Sequence, residues 1–191
     1  MLSLSQRLKA LECPKGLIDM VLDTDAYNEI DDQFAISYAL RSREKLNLKA
    51  LYAAPFLNSR SSSPLDGMEK SYEEIIKLLK LADDSADVFK GSGAFLKSEL
   101  DPVDSPAARD LAVRAMSYSP ERPLYVVAIG AITNIASALL MNPAISDSMV
   151  VVWLGGNAVD WPDAKEFNLT QDVAAARVVY NSGVSLVLLP C

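Results

Sequence analysis

Five carboxylates fall within ten residues in the run Asp23-Thr24-Asp25-Ala26-Tyr27-Asn28-Glu29-Ile30-Asp31-Asp32. Held close together, such charges repel one another and destabilise a fold unless something neutralises them. A divalent cation does so, and a donor set made only of oxygen favours a hard ion such as calcium or magnesium. A structural reading also stands: Glu29, Asp31 and Asp32 would cap and charge-complement the start of a helix. It leaves Asp23 and Asp25 without a role.

Further polar clusters follow later in the chain. They are Asn58, Gly130-Ala131-Ile132-Thr133-Asn134, Gly155-Gly156-Asn157, and Glu166-Phe167-Asn168. Singly each has a plain reading: Thr133-Asn134 as a helix cap, Gly155-Gly156 as a tight turn, Glu166 as a solvated acid. Their joint interest is positional, because each follows an apolar run. These 191 residues contain no histidine, so chemistry here falls to carboxylates, a metal, or Tyr and Lys rather than to an imidazole-activated nucleophile.

The elements that must position these groups read as βα units. Short apolar runs at residues 18–22, 48–54, 124–129, 149–154 and 184–189 predict strands, with a weaker one at 87–89. Several are apolar at nearly every position, as in a sheet covered by helices on both faces. Helices are expected over 32–41 (apolar stripe Phe34, Ala35, Tyr38, Ala39), 66–81 (capped by Asp66), 105–118, 133–141 and 172–180, with an extra one near 4–11. Residues 58–64 and 91–106 read as exposed connections. The expectation is a single α/β domain over residues 1–191, with a mostly parallel sheet. In such a sheet, ligands bind beyond the carboxyl ends of the strands, where every cluster above lies.

A net charge of −7 argues against nucleic-acid partners, since phosphate contacts need clustered Lys and Arg. Cys13 and Cys191 form no disulfide framework, residues 1–19 lack a signal-peptide pattern, and no apolar run suits a membrane span. The expectation is a cytoplasmic protein with no membrane partner.

The three blocks Asp23-Thr24-Asp25…Asp31-Asp32, Gly130…Thr133-Asn134-Ile135-Ala136 and Gly155-Gly156…Glu166-Phe167-Asn168, the last followed by Asp172 and a helix, resemble the inosine–uridine-preferring nucleoside hydrolases. The resemblance runs from about Ile18 to Leu189. It implies hydrolysis of the N-glycosidic bond of a nucleoside or related ribosyl compound in base salvage, often by a homo-oligomer. It implies calcium held by Asp25, Asp32 and the Thr133 backbone carbonyl, with Asp25 as general base on a calcium-bound water. Asp31, Asn58, Asp160, Glu166 and Asn168 would grip the sugar, and Asp23 would support the metal loop.

The match departs in four places. Five residues separate Asp25 from Asp31, a longer loop than is usual in the family, and Tyr27 within it is a candidate proton donor. Asn58 lacks the customary preceding glycine. Asp160 stands where asparagine is usual, either altering sugar recognition or pairing with Lys165. Relatives are expected to continue past the strand ending at Leu189, supplying a further metal-binding aspartate and often a histidine. The alternative is therefore a C-terminally short, non-catalytic relative that keeps the fold. A phosphatase of the haloacid dehalogenase type also opens with Asp-x-Asp after a strand, but it leaves Glu166–Asn168 without a role.

Overall fold

The structure, a computed structural model, describes residues 2–191. Six strands form one sheet: β1 (Ile18–Thr24), β2 (Leu46–Ala53), β3 (Asp87–Lys90), β4 (Leu124–Ala128), β5 (Met149–Leu154) and β6 (Ser185–Leu189). All pairings are parallel, in the order β3-β2-β1-β4-β5-β6. The chain runs outward from β1 to β3, then returns to add β4 on the other side of β1. The strand order thus reverses between β1 and β4, and the crevice beyond their carboxyl ends is where such sheets bind ligands.

Side chains alternate between the faces, so each strand feeds two cores. Val21, Tyr52, Val126, Val151 and Trp153 pack under α4 (Pro106–Arg114), α5 (Thr133–Met141) and α7 (Val173–Asn181). Met20, Leu22, Leu51 and Ala53 pack under α2 (Ile30–Arg41) and α3 (Pro64–Ala82). Both faces carry helices, but the second is covered only over its β1–β2 half. Tyr125, Val127, Val152 and Val187 there line an apolar groove of about 990 Å³ with Phe34 and Tyr38. The first helix, α1 (Leu4–Ala10), starts with a capping box between Ser3 and Gln6 and buries no residue.

Local details correct several expectations. In α2 the buried residues are Asp32, Ile36, Ala39 and Leu40, while Phe34 and Tyr38 are exposed. The inward turn of Asp32 sets the rotation of the helix, because positions four and seven or eight residues on share its face. α3 begins at Pro64: Ser63 is its cap, accepting from the Asp66 N–H, and the Asp66 carboxylate instead takes the Ser62 N–H at 2.8 Å. Neither Thr133 nor Asn134 caps α5, whose flanking residue is Ile132 with no side-chain bond. A short α6 (Phe167–Gln171), absent from the helices expected from the sequence, follows Glu166. The weak third strand forms as expected.

Candidate functional site

The end of β1 divides the acidic run between the two faces. Asp23 points to the α5 side, fully buried, and its Oδ1 accepts from Asn134 Nδ2 at 2.7 Å. Thr24 points the other way and donates its hydroxyl to Asp32 Oδ1. Asp25 begins the loop beyond the strand and is 1% exposed. Gly130, after β4, lies against it: a Cβ there would sit 3.0 Å from Asp25 Oδ1. Glycine at 130 therefore permits the close approach of the two strand ends.

These carboxyls are held in an environment that resists their charge. Burial raises Asp23 to about 7, the Asn134 bond opposes this, and the Asp32 charge adds to it. Burial also drives Asp25 well above the carboxylate range, followed by repulsion from Asp32. Asp32 rises to about 7 through burial, against the Thr24 hydroxyl and with further repulsion from Asp31 and Glu29. Asp23 Oδ2 and Asp25 Oδ2 are buried with no hydrogen-bond partner. Buried oxygens left this way are costly and mark a group whose partner is a proton, an ion or a ligand.

The other strand ends bring further groups. Asn134 is fully committed: besides Asp23 it donates to the Ala53 carbonyl at 3.3 Å and accepts from the Ser92 N–H and hydroxyl at 2.7 and 2.8 Å. Thr133 donates its hydroxyl to Asp172 Oδ2 at 2.8 Å, and Asp172 also caps α7 and takes the Leu96 N–H. Glu166 is buried, not solvated, and accepts from the N–H groups of Gly156, Asn168 and Leu169. Asn168 donates to the carbonyls of Ile129 and Leu154, tying β4 to β5 at their exits.

Asn58, beyond β2, meets the lengthened acidic loop, its Nδ2 donating to Asn28 Oδ1 at 2.7 Å. Asp31 is exposed on the first turn of α2, in an open depression with Glu29, Gln33 and Arg60. Asp31 and Glu166 both face the Cys191 thiol, whose pKa is raised first by burial and then by these two charges. Tyr27 is 41% exposed, with the Lys70 ammonium 5.8 Å from its ring centre. Asp160 is exposed in the loop after β5, and the pairing with Lys165 is not formed; the Lys165 N–H goes to Asp163.

The fold thus brings Asp23, Asp25, Asp32, Thr133, Glu166 and Asn168 to the carboxyl edge of β1, β4 and β5, with Asn58 and Asp31 beside them. Asp160 is outside that cluster. Sequence reasoning missed Asn28 and Ser92 as members of the network, and the Thr133–Asp172 pair. The signal for Asn28 was present, since it is the one amide inside the acidic run.

Among the described residues, no three His, Cys, Asp or Glu side chains form a metal-binding group. The donor chemistry nonetheless fits a hard cation on two carboxylates. Asp25 and Asp32 repel each other, and Asp25 keeps one oxygen free. A calcium shell of six to eight oxygens is routinely completed by backbone carbonyls, water and ligand hydroxyls.

The inosine-uridine preferring nucleoside hydrolase family model matches residues 20–191. The chain belongs to the nucleoside hydrolase family. Among curated members, the non-specific ribonucleoside hydrolase RihC of Salmonella paratyphi B is 30% identical, over 90% of this chain and 60% of its own length. The pyrimidine-specific ribonucleoside hydrolase RihA of Escherichia coli is 27% identical, over 90% and 59%. The chain therefore spans about 60% of the length of the nucleoside hydrolases it matches. Solved structures share the fold: a purine-preferring ribonucleoside hydrolase from Gardnerella vaginalis superposes with TM-score 0.67 at 24% identity, covering 89% of this chain and 60% of that one. The type III effector XopQ complexed with adenosine diphosphate ribose gives TM-score 0.62 at 20% identity, covering 99% and 61%.

Proposed function

We propose that this nucleoside hydrolase domain cleaves the N-glycosidic bond of a nucleoside or a related ribosyl compound, with calcium as its cofactor. The observation that carries the reading is the pair of buried, mutually repelling carboxylates of Asp25 and Asp32 at the β1–β4 switch point, one with an unused oxygen. When bound, the cation supplies the positive charge that neutralises this pair and acidifies water beside it.

The chain's own residues then divide the work. Asp25 accepts the proton of the attacking water through its free oxygen. Asp32, fixed by the Thr24 hydroxyl, would hold the cation together with Asp25 and the Thr133 backbone carbonyl. Asp31 and Asn58 take sugar hydroxyls at the rim, with Glu166 and Asn168 opposite and Asp160 beyond them. The anionic surroundings favour the oxocarbenium character that builds on the ribose as the bond to the base breaks. Asp23, paired with Asn134, supports the loop from behind.

Isothermal titration with calcium, followed by assay of free-base release across a panel of purine and pyrimidine nucleosides, tests this. Binding that is lost in Asp25→Asn, together with base release, is the expected result. Absence of calcium binding would remove the reading.

One observation favours a second reading, a fold-keeping relative without turnover. Glu166 and Asn168 already spend their oxygens and amide on backbone groups, and the chain spans only about 60% of its relatives. Calcium binding without base release from any nucleoside would select it. A cytoplasmic location and a homo-oligomeric state are part of the first reading; no helix among the described residues is long and apolar enough to cross a membrane.

A further inference from the structure

The acidic loop carries one group that the reading above leaves without work. Asn28 is 4% exposed, although its neighbours Tyr27, Glu29 and Ile30 are all exposed. A loop residue turned inward among outward neighbours is held there by its bonds: Asn28 is tied to Asp25 within its own loop, by backbone and by side chain, and twice to the loop after β2. Its N–H closes a turn onto the Asp25 carbonyl at 2.6 Å. Its side-chain oxygen accepts from Asn58 Nδ2 at 2.7 Å. Its carbonyl accepts from Arg60 Nη1 at 2.8 Å.

The other end of the contact is equally constrained. The Asn58 side-chain oxygen is consumed by the Arg60 N–H at 2.9 Å, which closes the loop on itself. An amide has two N–H donors and one carbonyl oxygen. With one N–H given to Asn28 and its oxygen already accepting from Arg60, Asn58 has a single N–H left to donate. Its two bonds fix the plane of the amide and thus the direction of that donor.

From this geometry we infer that Asn28 is a positioning residue for sugar recognition. It locks the Asn58 amide so that its remaining N–H is presented to a ribose hydroxyl, which is bound as an acceptor and gives its own proton to a carboxylate. The inference rests on the ribosyl-hydrolase reading for the identity of the ligand. The length of the acidic loop acquires a purpose: it brings Asn28 to a place where it connects the general base Asp25 to the sugar-facing loop after β2.

The test combines a latch readout with a ligand readout on the full chain. Trypsin cleavage after Arg60 reports the latch. It should speed up in Asn28→Ala and stay slow in Asn28→Asp, which keeps an acceptor facing Asn58. Affinity for D-ribose in calcium, read by NMR titration, reports the positioning. Asn28→Ala should weaken it roughly tenfold, about the worth of one well-made polar contact. In a double-mutant cycle, Asn28→Ala should add little once Asn58 is already Ala, because the effect passes through Asn58. Ribose affinity unchanged in Asn28→Ala, or losses that multiply in the double variant, overturn the inference and leave the hydrolase reading intact. A wild-type chain that binds no ribose removes that reading, and this inference with it, even where the trypsin pattern follows the latch.

Discussion

Asn134, at the second position of α5, gives one side-chain N–H to Asp23 at the end of β1, across 111 positions of sequence, at 2.7 Å. The same amide satisfies Ser92 and Ala53, so one side chain joins β1, β2, the segment after β3, and α5. Replacing it with alanine takes a partner from four buried polar groups on three residues. Asn134→Ala should lower unfolding stability by about 3 kcal/mol, in the range for buried partners left unpaired. Urea denaturation with an unchanged slope checks this, and a loss below about 1 kcal/mol would refute it.

The acid cluster predicts an unusual pH profile. Asp23 and Asp32 have folded-state pKa values of about 7, far above an unfolded aspartate at about 3.9. The folded chain therefore binds more protons than the unfolded one between these values, and stability falls as pH rises through that window. Without divalent cations the melting temperature should be higher at pH 5.5 than at pH 7.5. Saturating calcium should shrink or reverse that difference. Melting curves at the two pH values, with chelator and with calcium, decide it.

Charge removal separates stability from function at the same site. Asp25→Asn relieves the repulsion from Asp32. In chelator at pH 8 it should stabilise the chain by about 1 kcal/mol, a rise in Tm of roughly 2–4 °C. The same variant should lose the calcium-induced rise that the wild-type chain displays. Equal calcium responses in the two proteins would place the cation elsewhere.

Gly91 offers a steric test of the network. A Cβ there would collide with the Ala53 carbonyl oxygen and crowd the Asn134 amide, and neither is free to move. Gly91→Ala should destabilise by about 2 kcal/mol or more, as overpacked sites do. Its cost should overlap with that of Asn134→Ala rather than add to it, since both act on one contact.

The half-covered face predicts a solution property. Apolar grooves this large bind hydrophobic dyes. Phe34 and Tyr38 are 69% and 70% exposed at its border. The native chain should enhance the fluorescence of an anilinonaphthalene dye, and Phe34→Glu with Tyr38→Lys should reduce the signal at unchanged circular dichroism.

Much of the fold was legible because its signals are local. Apolar runs named five of the six strands and a weaker signal the sixth, and the helices expected from residue 105 and up to residue 141 begin and end there, after the Ser105 cap and before Asn142. What was not legible depends on partners distant in sequence. The stripe of α2 was misread because Asp32, a charged residue, faces inward to meet Thr24. Thr133 and Asn134 looked like a cap because their real partners, Asp172 and Asp23, lie 39 and 111 positions away. Glu166 looked like a solvated acid because nothing in its neighbourhood announces that the N–H of Gly156 will fold back onto it.

The reversal of strand order between β1 and β4 also bears on how the chain reaches its native state. The groups around Asp25 come from segments that meet only after β4 has docked beside β1, by contacts spanning more than half the chain. Such distant pairings are slow to form. A cation or sugar that needs all of them should leave the folding rate almost untouched while greatly slowing escape from the finished fold, acting as a brake on unfolding rather than a template for assembly.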